Sequence, residues 1–316
     1  MVDWKTPTLT DLETLQKCAV NNDFFANVYG AANCVLYAKK FSAQITEEGG
    51  WLFLRLYEDQ KPRFFFPHKI DGGLDGAEAA LKLLEKEARG FLEADSRFAK
   101  EPFVLKNITA AEKEIAARVF SGAQFAAARE SSDYIYRTED LAALSGKKYG
   151  KKRNHIKQFK AKRPDYRFEP LASGNLQDAR EIEEKWLEEA LAFDAANAGD
   201  LQIEKEIIFS ALENFEIFGQ ACGMTGGLLY VDNKPAAFCV ASLLSAAVTD
   251  VHFEKCLSPY ARDGGYAVIN NEFSKSVKTE FINREEDLGI EGLRKAKLSY
   301  YPINVLEKYN GTIHSA

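Results

Sequence analysis

Three strand-like runs follow one another with no helix between them: Met224 to Val231, Pro235 to Ser245 and Val248 to Cys256. Asp232-Asn233, between the first two, is a hairpin signal, because both residue types tolerate the backbone of a tight turn. A loop containing Pro259, a helix from Gly264 to about Lys278 and a further strand from Phe281 to Arg284 come next. A meander that continues through a crossover helix into another strand makes a mixed α/β layer. Two helices ahead of the meander, roughly Leu176 to Phe193 and Gln202 to Phe218, and one after it, about Ile290 to Leu298, complete this half; a short segment follows Pro302.

The first half alternates in the same way. Asp11 to Asn22 reads as helix, and Cys34 to Thr46, Trp51 to Tyr57 and Arg63 to Pro67 as strands, with a turn at Gly49-Gly50. Gly76 to Ala94 is an amphipathic helix with Ala80, Leu83, Leu84 and Phe91 at helical spacing. Pro102 to Ile108 is a strand, Thr109 caps a helix to Phe120, and Phe125 to Arg137 reads as strands. The expected fold is therefore α/β with two mixed layers, residues 1–165 and 166–316, a division that suits a chain of 316 residues.

A composition of 46% hydrophobic, 28% charged and 12% aromatic residues excludes disorder and coiled coil as the dominant state. No short-period repeat points to a solenoid or propeller. The longest uncharged apolar run, Pro235 to Val248, is shorter than the ~20 residues of a bilayer-spanning helix. The start, MVDWKTPTLTDLETL, lacks the basic-then-apolar order of a secretory leader. Cys18, Cys34, Cys222, Cys239 and Cys256 are widely spaced and form no C-x-x-C pair, so they are expected as buried small hydrophobes. Together these features predict a reduced, cytoplasmic chain. His68, His155 and His314 have no partners at metal-ligand spacing, and no metal is expected.

The net charge of −6 is unevenly spread. Nine of the 41 basic residues and none of the 47 acidic ones lie between Lys147 and Arg163. Lys147, Lys148, Lys151, Lys152, Arg153 and Lys157 form a candidate anion patch in this basic segment, with Ile156 and Phe159 as an apolar anchor. A solvated charged helix, a phosphate-binding face for tRNA and an anionic membrane contact all fit it.

Chemistry-bearing residues concentrate between Thr249 and Tyr301. Period two puts Asp250, His252 and Glu254 on one face of their strand, costly in a domain interior unless that face is wet or functional. A solvent-facing edge strand would read the same way. Arg262-Asp263-Gly264-Gly265-Tyr266-Ala267 opens the following helix, where glycines and outward N–H groups suit a phosphate; a plain glycine turn is the alternative. The strand Phe281 to Arg284 runs into Glu285-Glu286-Asp287, at a carboxyl end where α/β sheets bind ligands. Arg284 could hold an anion and the acids an amine, or the cluster could cap the next helix.

The order strand, Arg262-x-x-Gly265-x-Ala267, helix, strand resembles the acyl-CoA-binding signature of the GNAT N-acyltransferases. Longer stretches resemble a soluble bacterial family related to the carboxy-terminal domain of phosphatidylglycerol lysyltransferase. They are Asp133-Tyr134-Ile135-Tyr136 through Gly146-Lys147-Lys148, Lys151 to Ile156, Phe253-Glu254-Lys255, and Ile282 to Lys297. The resemblance implies two GNAT-like domains in tandem, related to the Fem-type aminoacyltransferases; residues 1–150 hold no glycine-loop signature comparable to Arg262–Ala267, so the first is expected to be degenerate and the second to carry the site. It implies transfer of an acyl or aminoacyl group, from acyl-CoA or aminoacyl-tRNA, to an amine or hydroxyl of a small molecule, peptide or lipid headgroup. Glu254 or His252 would be the base and Tyr300 or Tyr301 the proton donor. Arg262, Gly264, Gly265 and Ala267 would hold the donor; Asn283, Arg284, Glu285, Glu286 and Lys297 would bind substrate. A non-catalytic ligand- or nucleic-acid-binding protein on the same scaffold is the alternative.

Overall fold

The computed structural model describes residues 3–193 and 195–314. Fourteen strands occur among them. β1 (Gln44–Glu48), β2 (Trp51–Glu58), β3 (Lys61–Phe64), β4 (His68–Lys69), β5 (Phe103–Ile108) and β6 (Gln124–Ala127) come first. β7 (Asp133–Arg137), β8 (Arg167–Pro170), β9 (Thr225–Val231), β10 (Lys234–Leu243), β11 (Val248–Cys256), β12 (Phe281–Asn283), β13 (Asn304–Leu306) and β14 (Tyr309–Ile313) follow. They form two mixed sheets, one ordered β1-β2-β3-β5-β14-β6 with β4 beside β2, the other β13-β7-β12-β11-β10-β9-β8.

The expected boundary near residue 165 is corrected. One unit comprises Met1–Tyr134, Glu286–Lys295 and Val305–Ala316; the other comprises Ile135–Glu285 and Ala296–Asn304. The chain is not cut once because pairing is non-local. The late strand β14 runs antiparallel between β5 and β6 in the first sheet, while β7, early in the chain, pairs antiparallel with β12 in the second.

In the first unit, helices Ala77–Ala94 and Ala110–Val119 pack Ala80, Leu81, Leu84, Ile115 and Ala116 on Phe53, Phe64, Phe103 and Leu105 of the sheet. The buried stripe of the longer helix runs through Leu81 and Ala88, leaving Leu83 and Phe91 at its half-buried margin. Thr109 caps as expected: its hydroxyl accepts from Glu112 N–H, and the Glu112 carboxylate accepts from Thr109 N–H at 2.7 Å. The strand expected over Cys34–Thr46 is instead helix Ala31–Leu36, then a turn, then β1. The β-branched and aromatic residues there outweigh a stretch that is otherwise small and helix-compatible, which is why the pattern misleads. All five cysteines are free and buried.

The same unit buries an ionic knot. Lys308, fully buried, donates to Asp133 Oδ1 and Asn27 Oδ1 at 2.6 Å and to Glu286 Oε1 at 3.2 Å. Asp287, also buried, accepts from Arg129, Tyr134 and Arg294 at 3.0, 2.5 and 2.8 Å. Burial alone would raise its pKa, but the bonds from Arg294, Tyr134 and the Gly289 N–H hold it well below the ordinary carboxylate range.

In the second unit the Asp232-Asn233 turn has both residues left-handed, at φ 51° and 61°, and joins β9 to β10 as expected. Helix Gly265–Ser276 crosses from β11 to β12, which lie parallel.

Replacing Lys308 by Met should take the cation from buried Asp133 and half-buried Glu286 and destabilise the fold by about 3–5 kcal/mol. Equilibrium urea unfolding followed by circular dichroism measures this, and an unchanged midpoint would refute the knot's structural role.

Candidate active site

The parallel pairing of β11 with β12 is short: Val248↔Phe281, Thr249↔Ile282 and Asp250↔Asn283. β11 continues to Cys256, whereas β12 ends at Asn283. The chemistry gathers where the two strands part.

Glu254, two residues beyond His252 on the same face, receives Arg284 Nη2 at 3.0 Å, and both side chains are 13% exposed. Burial alone would weaken the Arg284 cation, but the Glu254 charge holds its pKa above the ordinary value. The Arg284 guanidinium lies 5.2 Å from the centroid of the Tyr300 ring, and Lys152 Nζ lies 3.6 Å from the same centroid. Burial, and then the Arg284 charge, push the Lys152 ammonium down to about 8 against the pull of Glu254. Burial pushes the Tyr300 phenol up, with Arg284 opposing, so it keeps its proton at neutral pH.

Beside this group stands a second cluster. His252 Nε2 is 2.8 Å from Ser242 Oγ on β10, and its Nδ1 is 3.2 Å from Glu285 Oε1 and 3.7 Å from Asp250 Oδ2. One ligand atom from each of Asp250, His252 and Glu285 lies within 4.8 Å of the others, so these three could hold a metal ion. The expectation of no metal weighed His68, His155 and His314 but not His252.

The structure thus brings together Glu254, His252, Tyr300, Arg284 and Glu285 of the residues expected at the site. Asn283 is fully buried, and its side chain accepts from Glu285 N–H at 2.7 Å. It shapes the chain beyond β12 rather than presenting a free amide. Lys297 Nζ donates to the Arg284 carbonyl at 2.5 Å, and its own carbonyl accepts from Tyr136 OH at 2.8 Å, so it is a strut for Arg284. Glu286 belongs to the Lys308 knot of the first unit.

The glycine loop answers to packing. A Cβ on Gly265 would lie 2.6 Å from Cys256 Sγ and 2.9 Å from the Tyr260 carbonyl. Gly264 is left-handed at φ 104°, and a Cβ there would meet the His155 carbonyl at 3.1 Å. Arg262 is exposed and Ala267 buried.

The basic patch divides. Arg153 donates to the Leu144 and Gly146 carbonyls at 2.5 and 2.7 Å, and Lys148 sits 3.6 Å from Asp140. Lys147, Lys151 and Lys157 are exposed, while Lys152 is turned toward Tyr300. Sequence reasoning placed Lys152 among the surface cations, yet it continues the buried stripe Tyr149, Ile156, Phe159 at three- and four-residue steps. That spacing was the available signal. Ser242, isolated in an apolar strand, gave none.

The family match of this chain is to phosphatidylglycerol lysyltransferase, C-terminal, over residues 86–310. The chain belongs to that family. A structure of a conserved protein of unknown function from Bacteroides thetaiotaomicron is similar over 99% of this chain and 100% of that one, with TM-score 0.85 and 30% identity. L-PGS from Bacillus licheniformis aligns over 97% of this chain and 92% of its own, with TM-score 0.63 and 14% identity, which shows the shared fold. An uncharacterized protein of Mycoplasmoides gallisepticum is 24% identical over 180 residues, which span 57% of this chain and 55% of that protein. The family is one of transferases, and the expected α/β class with two mixed layers holds. No helix among the described residues is long and apolar enough to cross a membrane.

Two outcomes are expected. Gly265→Ala should destabilise the chain by about 1–3 kcal/mol through overpacking on Cys256 and Tyr260, read from urea unfolding without any ligand. Lys152 titrates near 8 in the folded chain against 10.5 for an ordinary lysine, so its folded-state penalty is full below about pH 8 and fades as pH rises toward 10.5. The parent should therefore gain stability relative to Lys152→Met between pH 7 and pH 10; a pH-independent difference would contradict the burial of that amine.

Proposed function

We propose that this chain moves an aminoacyl group from the ester of an aminoacyl-tRNA to a hydroxyl or amine acceptor, at the opening between β11 and β12. The observation that carries the reading is the convergence of Glu254, Arg284, Tyr300 and Lys152 just past Asp250↔Asn283, the last β11–β12 pair. Membership of a lysyltransferase family supports it.

In the proposed reaction the acceptor heteroatom attacks the ester carbonyl. Its proton passes to Glu254, the ester C–O bond breaks, and the departing ribose oxygen takes a proton from Tyr300. The raised phenol of Tyr300 suits a donor that stays protonated until the bond breaks. Arg284 and Lys152 supply positive charge for the developing oxyanion or a nearby phosphate.

An ester donor is favoured over acyl-CoA because the faces of Gly264 and Gly265 are taken up by His155, Cys256 and Tyr260 of the chain itself. Exposed Lys147, Lys151 and Lys157 provide cations for tRNA phosphates.

Two measurements test this. Transfer of labelled amino acid from charged tRNA, lysyl-tRNA first, should be detected with hydroxyl, amine or anionic phospholipid acceptors, and Glu254→Gln should lower turnover about 100-fold or more. Affinity for tRNA should fall steeply with salt, and changing Lys147, Lys151 and Lys157 together to Gln should flatten that dependence by roughly one unit of slope for each phosphate no longer neutralised. Thermal stabilisation by acetyl-CoA with no response to tRNA would overturn the proposed donor.

A further inference from the structure

We propose that Asp250, His252 and Glu285 bind a single divalent ion of the zinc or manganese class where β11 and β12 part. Metal bonds of about 2.0–2.2 Å at near-tetrahedral angles set neighbouring ligand atoms roughly 3.3 Å apart. His252 Nδ1 is 3.2 Å from Glu285 Oε1 and 3.7 Å from Asp250 Oδ2, so both pairs that involve the imidazole are near that spacing, and all three donors lie within 4.8 Å of one another. The side chains of Asp250 and His252 are 1% exposed and that of Glu285 15%, so the donors are shielded on most sides.

The orientation of the imidazole is a separate observation. His252 Nε2 lies 2.8 Å from Ser242 Oγ while Nδ1 faces the two carboxylates; a bound ion would replace the Nδ1 proton and leave Nε2–H to donate to that hydroxyl. Metal-bound histidines are ordinarily held by such a hydrogen bond on the other ring nitrogen.

Charge agrees. Two carboxylates and one neutral imidazole present a formal charge of −2 to a divalent ion. The nearby guanidinium of Arg284 is paired with Glu254. One nitrogen and two oxygen donors suit zinc or manganese; magnesium prefers an all-oxygen shell with several waters. Asp250 and His252 come from β11, and Glu285 lies two residues past the end of β12, so the ion would staple the two strands at the end of their pairing.

The test is metal uptake by the full chain after treatment with EDTA, dialysis against Zn(II), Mn(II) or Mg(II), and elemental analysis. Cobalt(II) serves as a spectroscopic probe. The expected result is one equivalent of zinc or manganese, no retained magnesium, and visible cobalt bands. Glu285→Gln and Asp250→Asn should abolish retention, and Ser242→Ala should weaken affinity about 10–100-fold. Absence of stoichiometric uptake by the unmodified chain, or uptake unchanged in Glu285→Gln, would overturn the site in favour of an imidazolium bridging two carboxylates. Uptake is read without any transfer assay, so a chain that binds the ion but transfers nothing would count against the proposed reaction alone.

Discussion

Two parallel strands that share three residue pairs and then diverge impose a demand on everything beyond the fork. Inside a sheet, backbone N–H and C=O groups satisfy each other across the ladder; where the ladder stops, they need side chains or water. The β11–β12 ladder stops at Asp250↔Asn283. Just past the fork, the Asn283 side chain accepts from Glu285 N–H and Lys297 donates to the Arg284 carbonyl, while His252 pairs with Glu285 and Glu254 with Arg284.

That requirement explains the strain around it. Glu285 and Tyr301, neither of them glycine, hold left-handed backbones at φ 53° and 54°. Each such residue is disfavoured by roughly 1–2 kcal/mol and persists only where its surroundings over-determine it. Asn283 fixes the first through its side-chain bond to Glu285 N–H. Near the second, Tyr149 OH donates to the Tyr300 carbonyl at 3.1 Å, and the Tyr149 and Tyr301 rings meet edge-on at 5.5 Å. Lys297 ties the Arg284 carbonyl to the helix Glu291–Leu298. The site is therefore pre-organised by groups that need never touch a substrate.

How much of this could be read from the sequence depends on the range of the interaction involved. The alternation of Asp250, His252 and Glu254 is local, and the shared face follows directly from the pleat. Thr109 capping and the Asp232-Asn233 turn are local too, and both are present in the structure. The division of the chain was not legible, because β7 and β14 are placed by partners more than a hundred residues away. Ser242 and Lys152 sit between these cases. Ser242 opposes Asp250 across β10 and β11, so only the register reveals its approach to His252. Lys152 shares the stripe of Tyr149, Ile156 and Phe159, but a run of nine basic residues suggests a uniformly solvated face and masks the one that turns inward.

The glycine loop shows how a motif can be right about geometry and silent about cause. Gly264 and Gly265 are needed in this backbone, since a side chain at either would collide with His155, Cys256 or Tyr260. The same two glycines would be demanded by a pyrophosphate lying against the helix terminus. Sequence cannot separate the two, because both act through the missing Cβ. In the structure the Cβ faces of both glycines lie against the chain's own His155, Cys256 and Tyr260, so packing by itself requires them. Lys162 and Arg163 are likewise engaged nearby, holding Asp263 at 2.7 and 3.0 Å. Beyond exposed Arg262 in the loop, positive charge is directed toward the fork through Lys152 and Arg284 and toward solvent through Lys147, Lys151 and Lys157.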